Sequence, residues 1–300
     1  MEVGVIGLGR MGAAIADCLI VAGHAVTVYN RSPEKAKVLI AKGATLAHDP
    51  AGAANGDAVI TMLADDSAVE SVVFGDEENE GFLPHQGKKT VHISMSTISV
   101  GLTRWLASTS EDAGKPFVAA PVMGRPDVAE RGELIVMPAG DKGSIARCKD
   151  VFEAIGKSTH VVGDTPEKAI IVKLAANFMI SSMIETFAEA FALLRKNEID
   201  HQKFMQFMSS EFFQSPVYEK YGKIIAQEQI GTGPFTVRAQ EKDTRLALSA
   251  AIESQVPMPF LNIIENAFLS AIGTGKGEFD PCAIALVAAE NAGIKIKAKR

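Results

Sequence analysis

Residues 1–22 read MEVGVIGLGRMGAAIADCLIVA, a pattern that indicates the architecture of the N-terminal half. A short β-branched run is followed by Gly7-Leu8-Gly9-Arg10-Met11-Gly12 and then by a helical pattern that ends at Gly23. A glycine triplet directly between a strand and a helix is typical of the turn that binds a dinucleotide. We expect Gly7 to allow the tight turn, Gly9 to let the backbone approach a pyrophosphate, and Gly12 to allow close helix packing. The alternative is a glycine-rich turn without a ligand.

The second predicted strand, Ala25–Tyr29, is followed by Asn30, Arg31 and Ser32. A site that prefers NAD places Asp or Glu at the end of this strand, where the carboxylate accepts from the ribose 2′-hydroxyl. Here an amide, a guanidinium and a hydroxyl stand in that place, and all three can bind a 2′-phosphate. The sequence therefore predicts NADP(H). Asn30 and Ser32 can also form the next turn and cap the helix that starts at Pro33, and both roles can coexist.

Predicted strands and helices alternate up to about residue 163, which is typical of an α/β fold with a doubly wound sheet. The later strands are expected at Ala58–Met62, Thr90–Ile93, Phe117–Ala119, Leu134–Ala139 and His160–Val162. Helices are expected to begin near Pro33, Ala51, Ser67, Val100 and Asp141. We therefore predict an NADP-binding Rossmann domain over residues 1–163. Residues 164–300 are predicted to form an all-helical substrate and dimerisation domain, with Val237–Glu253 and Phe260–Ile272 among its helices.

Residues 166–194 read PEKAIIVKLAANFMISSMIETFAEAFALL, which predicts a long interdomain helix that is buried all round. Lys173 is a lone cation within it, and Asn177 follows one turn later on the same face. A lysine ammonium is rarely buried without a partner. Desolvation lowers the pKa of a lysine, which suits a proton donor near neutral pH. The alternative is that Lys173 extends to the edge of the helix and keeps its ammonium in water.

Length, charge and cysteine usage narrow the classes of function. The 300 residues are enough for two domains with large cores, and the net charge of −6 argues against nucleic acid as a partner. Charged and amide side chains interrupt the 166–194 segment, so we expect no membrane span. The first strand follows Met1 directly, so we expect no targeting peptide and a cytoplasmic location. Three widely separated cysteines and scattered histidines predict neither a disulfide nor a metal site.

The order and spacing of several motifs resemble the β-hydroxyacid dehydrogenase superfamily over essentially the full length, and its NADPH-dependent glyoxylate/succinic semialdehyde reductases in particular. The motifs are MEVGVIGLGRMG at 1–12, VTVYNRSPEKA at 26–36, HISMSTIS at 92–99, LIVMPAGD at 134–141 and QEKDTRLALSAA at 240–251. The resemblance implies that Lys173, in a K-x-x-x-N pattern, is the general acid/base. It also implies that Asn177 orients the substrate or the lysine.

Further residues match positions that contact the cofactor in that family. The resemblance implies a loop over the pyrophosphate and ribose, a Ser-Thr pair beside the nicotinamide and a lysine from the helical domain. These positions are Met62, Leu63 and Ala64, then Ser96 and Thr97, and finally Lys242. Without the resemblance, Lys242 is best interpreted as a surface lysine of a helix.

The substrate loop departs from the family pattern. The family usually has Asp-Ala-Pro-Val-Ser-Gly-Gly, whereas residues 119–125 read Ala-Ala-Pro-Val-Met-Gly-Arg. Met123 cannot donate a hydrogen bond to a substrate carboxylate. Arg125 can bind an anion through two hydrogen bonds, but its bulk alters the pocket. The alternative for Arg125 is a loop residue that faces solvent. Ser94 is a milder departure, at a position where the family often has Asp.

The resemblance implies an NADPH-dependent reductase of small carbonyl compounds, such as glyoxylate or succinic semialdehyde. Lys173 would protonate the alkoxide, while Ser96, Gly124, Arg125 and Asn177 hold the rest of the substrate beside Met123. An imine reductase-like enzyme is an alternative that the altered loop favours and Lys173 disfavours. The other alternative is a catalytically silent NADP-binding protein. Because the 166–194 helix is longer than a small helical domain can cover, we expect a homodimer or a higher even homo-oligomer.

Overall fold

The computed structural model describes residues 1–77 and 80–296, so the last four residues of the predicted helical domain lie outside the described residues. The chain divides into two compact units, Met1–Lys173 and Leu174–Arg300. The division falls inside the long helix predicted over 166–194, and each unit has a hydrophobic core of its own.

The first unit is a doubly wound α/β domain, which confirms the predicted fold class. Its strands are β1 (Glu2–Ile6), β2 (Ala25–Tyr29), β3 (Thr45–Leu46), β4 (Ala58–Thr61), β5 (Val91–Ser94), β6 (Phe117–Ala119), β7 (Val122–Met123), β8 (Leu134–Val136), β9 (Ala139–Gly140) and β10 (Gly156–Thr159). Its helices are α1 (Arg10–Val21), α2 (Lys37–Ala41), α3 (Asp66–Phe74), α4 (Val100–Asp112), α5 (Pro126–Ala129), α6 (Lys142–Arg147) and α7 (Lys149–Ile155). Single 3-10 turns cover Pro33–Ala36 and Ala51–Ala53.

Among the described residues, one sheet contains seven strands in the order β3-β2-β1-β4-β5-β6-β9. All neighbours in it are parallel except β6 and β9. The first six strands have the order of a Rossmann dinucleotide-binding domain. The apolar residues of β1 are buried on both faces, as expected for a central parallel strand, and Ile15 and Leu19 of α1 belong to the same core.

Two predicted strands were wrong at the edge of this unit. Leu134–Ala139 is interrupted at Pro138, so that β8 joins a small sheet of order β10-β8-β7 whereas β9 joins the large one. His160–Val162 is not a strand, and the strand lies at Gly156–Thr159 instead. Residues 160–162 make separate backbone hydrogen bonds to Val136 and Pro138 rather than a strand ladder, because the neighbouring segment 134–139 is interrupted at Pro138.

The second unit is helical, as predicted. The long helix α8 (Pro166–Lys196) continues into it from the first unit, and the helices that follow are α9 (His201–Glu211), α10 (Pro216–Ala226), α11 (Val237–Glu253), α12 (Pro259–Gly273) and α13 (Ile284–Asn291). A 3-10 turn at Pro281–Ala283 precedes α13. The core is built from large side chains of α8, α12 and α13, including Phe187, Phe191, Phe268 and Ile284.

Helix α8 is not buried all round, which corrects the prediction. Met179 is 70% exposed and Leu193 is 66% exposed, because neighbouring helices of the chain cover only part of its circumference. The expectation that no segment has the length and composition of a membrane span was also wrong. Among the described residues, α8 is the one helix long and apolar enough to cross a membrane. Core helices of water-soluble proteins meet the same criteria, so this is weak evidence for a span.

Candidate functional site

The glycine motif forms the turn between β1 and α1 and has little room for side chains at two positions. Gly7 has a φ of +99°, and a Cβ there would lie 2.4 Å from the carbonyl oxygen of Met62. A Cβ on Gly12 would lie 1.9 Å from the carbonyl oxygen of Gly7. Both positions therefore require glycine, because the turn, α1 and the end of β4 are in direct backbone contact.

The N-terminus of α1 is open. Gly9 is its N-cap, and no capping side chain among the described residues bonds to the first turn. A Cβ on Gly9 would meet no described atom within 4 Å. Arg10 is exposed, and Met11 packs partly against the core. Uncapped backbone N–H groups beside open space form the arrangement that accepts a phosphate group at a helix N-terminus.

Asn30 has a structural role that the sequence interpretation had left open. Its Oδ1 accepts a hydrogen bond from the backbone N–H of Leu8 over 2.8 Å, and its Nδ2 donates to the carbonyl of Ser32 over 3.1 Å. The amide thus connects the glycine turn to the end of β2. This supports the predicted role of Asn30 in the turn after β2, while its contact with the cofactor stays a prediction.

Arg31 and Ser32 follow Asn30 at the end of β2. Arg31 is exposed, whereas Ser32 is half-buried. Ser32 is the N-cap of the turn at Pro33–Ala36, but its hydroxyl makes no capping bond within the described residues. These two side chains are therefore the ones at this strand end that can still bind a 2′-phosphate.

Ser96 connects the ends of two neighbouring strands. Its Oγ accepts from the backbone N–H of Leu63 over 2.8 Å and lies 3.3 Å from the carbonyl oxygen of Thr61. Only 1% of Ser96 is exposed. The hydroxyl therefore fixes the loop after β4, and its contact with the substrate stays a prediction. Next to this contact, Met62 and Thr97 are half-buried and Ala64 is exposed.

Lys173 lies against the altered substrate loop. Its Nζ donates to the carbonyl oxygen of Val122 over 2.9 Å and lies 3.4 Å from the Sδ of Met123. Strand β7, which the sequence did not predict, aligns these two residues with β8. Gly124 is exposed and Arg125 half-buried directly after them. The lysine is itself half-buried, so its ammonium is held by the protein at a loop that is partly open to solvent.

In the helical unit, one carboxylate connects two of the predicted site residues. Asn177 is 7% exposed, and its Nδ2 donates to Oδ2 of Asp243 over 2.7 Å. Lys242 pairs with the other oxygen of Asp243 at 3.1 Å. The Asp243 side chain is only 4% exposed. Both carboxylate oxygens are thus used, which holds the Asn177 amide in one orientation.

Comparison with known proteins identifies the family of this chain. Residues 2–163 match the family described as the NAD binding domain of 6-phosphogluconate dehydrogenase, and residues 168–297 match the family described as NAD-binding of NADP-dependent 3-hydroxyisobutyrate dehydrogenase. The oxidoreductase YfjR of Bacillus subtilis is 37% identical over 95% of this chain and 98% of its own length. Glyoxylate/succinic semialdehyde reductase 1 of Arabidopsis thaliana is 31% identical over 95% of this chain and 97% of its own length.

The chain belongs to the β-hydroxyacid dehydrogenase superfamily. A solved structure agrees, since the crystal structure of a 3-hydroxyisobutyrate dehydrogenase from Salmonella typhimurium has a TM-score of 0.84 at 25% identity, covering 96% of this chain and 99% of that one. As a member of the superfamily, the protein is an NAD(P)-dependent oxidoreductase that acts on CH–OH groups. The open α1 N-terminus beside Gly9 fits the phosphates of such a nicotinamide dinucleotide.

Sequence interpretation missed two groups that bond to the predicted site residues, namely the Val122 carbonyl and the Asp243 carboxylate. The Val122 carbonyl carries no side-chain signal at all, so only the fold could reveal it. Asp243 does carry a sequence signal, because it lies on the same buried face of α11 as Gln240, Ala247 and Ala251. A carboxylate on a buried stripe requires a partner. Among the described residues, no group of three or more His, Cys, Asp or Glu side chains could hold a metal ion.

Proposed function

We propose that this protein is an NADPH-dependent reductase of small carbonyl compounds, namely aldehydes or keto acids such as glyoxylate and succinic semialdehyde. The contact of the Lys173 ammonium with the loop at Val122 and Met123 carries the proposal, since it places a proton donor at the loop that the resemblance assigns to substrate. The 31% identity to a glyoxylate/succinic semialdehyde reductase supports the substrate class.

In the proposed reaction, Lys173 is the general acid. A bound NADPH would supply the hydride for the carbonyl carbon. Lys173 gives a proton from Nζ to the oxygen of the former carbonyl, and in the reverse direction it removes the proton from the alcohol. The neutral carbonyl of Val122 orients the ammonium without compensating its charge. Asn177, held by Asp243, acts as a positioning residue for the substrate.

Arg31 and Ser32 favour NADPH over NADH. No carboxylate stands at the end of β2 to accept from a ribose 2′-hydroxyl. A guanidinium can instead form a charge-assisted pair with a 2′-phosphate, and a hydroxyl can donate one more hydrogen bond.

Met123, Gly124 and Arg125 shape the substrate site. The thioether of Met123 gives an apolar wall beside the Lys173 ammonium, and it accepts hydrogen bonds only weakly. Arg125 binds the carboxylate of a substrate such as glyoxylate. This combination favours short carbonyl compounds with one anionic end.

Partial exposure of apolar side chains supports a homodimer or a higher even oligomer built through the helical unit. In that unit, Met179 is 70% exposed, Leu193 is 66% exposed and Ile252 is 78% exposed. Burial of large apolar side chains in an interface is favourable by roughly 25 cal/mol per Å² of apolar surface removed from water. A single sedimenting species at the monomer mass at micromolar protein would contradict the oligomer.

A screen of NADPH oxidation across aldehydes, keto acids and cyclic imines tests the proposal, with NADH as the matched cofactor. We expect turnover with short aldehydes or keto acids, and a kcat/KM at least about tenfold higher with NADPH than with NADH. Turnover of imines alone would identify an imine reductase. If no compound is turned over while NADPH still binds, the protein is a silent nucleotide-binding protein and the proposal is wrong.

A further inference from the structure

A cavity in the helical unit is not used by the proposed reaction. It has a volume of about 520 Å³ and lies among α8, α12 and α13, within the size range of small-molecule sites. Ile263, Ile284 and Val287 give it an apolar wall, whereas Glu185 and Glu189 of α8 supply two carboxyl groups. A cavity with this lining combines an apolar wall with a concentrated negative charge.

Glu185 is a buried carboxyl group without a partner. Only 7% of the residue is exposed, and its Oε2 has no hydrogen-bond partner among the described residues. Burial, together with the charge of Glu189 one turn away, raises the pKa of Glu185 to about 7. A carboxylate in such a place is costly unless a positive charge or a donor pairs with it.

Among the described residues, no cation forms an ion pair with Glu185 or Glu189. The polar residues that α12 and α13 contribute to the lining are neutral, namely Asn266, Ser270 and Asn291. Lys196 lies at the margin of the cavity, where its ammonium donates to the carbonyl of Ala292 over 3.0 Å rather than to either carboxyl group. Lys276 pairs with Glu290 at 3.1 Å. The complement to this lining is therefore a cation with an apolar body.

We infer that this cavity binds a small primary amine, with its ammonium between Glu185 and Glu189 and its short alkyl chain against Ile284 and Val287. An ammonium donates up to three hydrogen bonds, so one group can satisfy both carboxylates. Ile263 on the same wall is 52% exposed, and the alkyl chain covers part of this apolar side chain. This site lies wholly within the helical unit and does not depend on the proposed reductase activity.

Thermal unfolding with n-hexylammonium chloride tests the site, with 1-hexanol and hexanoate as probes of the same length. At about pH 8, where the Glu185 carboxyl is ionised, we expect the ammonium to raise Tm by about 2 °C or more in a saturable way. We expect neither hexanol nor hexanoate to do so. Glu185→Gln should lose the shift, whereas Glu211→Gln, an exposed carboxyl of the same unit outside the cavity, should keep it.

A second measurement keeps the test independent of that variant. In the unmodified protein the Tm shift caused by hexylammonium should become smaller from about pH 8 to about pH 6, because the Glu185 carboxyl is then protonated. Binding at about pH 7 should release protons from Glu185. The heat measured by isothermal titration calorimetry should therefore change with the ionisation enthalpy of the buffer. The inference is overturned if hexylammonium does not raise the Tm. A second copy of the chain that covered the cavity would give the same result and would equally exclude binding there. The inference is also overturned by a shift that hexanol reproduces or that Glu185→Gln retains.

Discussion

The ammonium of Lys173 and the main-chain carbonyl of Val122 are joined by a hydrogen bond of 2.9 Å, although the two residues lie 51 positions apart in the chain. A backbone carbonyl neither ionises nor neutralises the ammonium. The hydrogen bond therefore orients the ammonium without an opposing charge from this carbonyl. In the proposed reaction, the loop at Val122 orients the general acid.

Removal of the Lys173 ammonium should abolish most of the chemistry. We expect Lys173→Ala to lower kcat by about a hundredfold or more, the usual contribution of a general acid, while the Kd for NADPH stays the same. Lys173→Arg should not restore turnover, because a guanidinium does not release its proton near neutral pH. Lys168→Ala is the matched control, since Lys168 pairs with Asp164 near the start of the same helix. Near-normal kcat in Lys173→Ala would show that the lysine is not the acid.

Arg31 should decide the choice of cofactor. We expect Arg31→Ala to reduce kcat/KM with NADPH by about tenfold while leaving kcat/KM with NADH nearly unchanged, because the lost pair involves only the 2′-phosphate. Steady-state kinetics with both cofactors measure this ratio. Lys149→Ala, which removes an exposed cation paired with Glu153 in the same unit, should leave the ratio as it was. An equal loss with both cofactors in Arg31→Ala would assign the arginine another role.

Ser96 should affect cofactor binding more than substrate binding. Ser96→Ala leaves the backbone N–H of Leu63 without its acceptor, which should lower the free energy of unfolding by about 1–3 kcal/mol. Because Leu63 belongs to the loop after β4, the KM for NADPH should rise more than the KM for the carbonyl compound. Ser108→Ala, at an exposed serine of α4, is the control. A rise confined to the carbonyl KM would restore Ser96 as a substrate ligand.

The effects of substitutions at Asp243 and Asn177 on the free energy of unfolding should not be additive. Asp243→Ala removes the acceptor of both the Asn177 amide and the Lys242 ammonium, and we expect a loss of about 1.5–3 kcal/mol in the free energy of unfolding. A double-mutant cycle with Asn177→Ala measures the pairwise part, which should exceed about 0.5 kcal/mol. Strict additivity of the two substitutions would show that the contact contributes nothing.

The contribution of Glu185 to stability should fall as pH rises through its titration. Its pKa is raised from 4.5 to about 7 by burial and by Glu189, so this group binds more protons in the folded state than in the unfolded state between these values. Its contribution to the free energy of unfolding therefore decreases as pH rises from about 4.5 to about 7. The difference in slope between the unmodified protein and Glu185→Gln measures this contribution, whereas Glu211→Gln should keep the slope of the unmodified protein. Denaturant titrations at several pH values provide the measurement, and an unchanged slope in Glu185→Gln would refute the assignment.

Local patterns were sufficient for much of the fold and for the cofactor motif. The bounds of β2, β6 and α11 were predicted to the residue, since each depends on a periodicity contained in the segment itself. The glycine motif is equally local, because its spacing alone specifies the turn and the start of α1. The interruption at Pro138 was visible in the sequence, but its effect on two sheets was not.

What the chain determined by itself is thus the alternation of strands and helices in its N-terminal part and the residue types at the ends of the strands. The tertiary structure decided how those residues are used. Asn30, Ser96 and Asp243 each bond to groups between 22 and 66 positions away. Periodicity tells which face of a segment is buried, but a hydrogen bond also needs a partner within about 3 Å. Only the packing of distant segments brings such partners together, and it also leaves one part of α8 exposed.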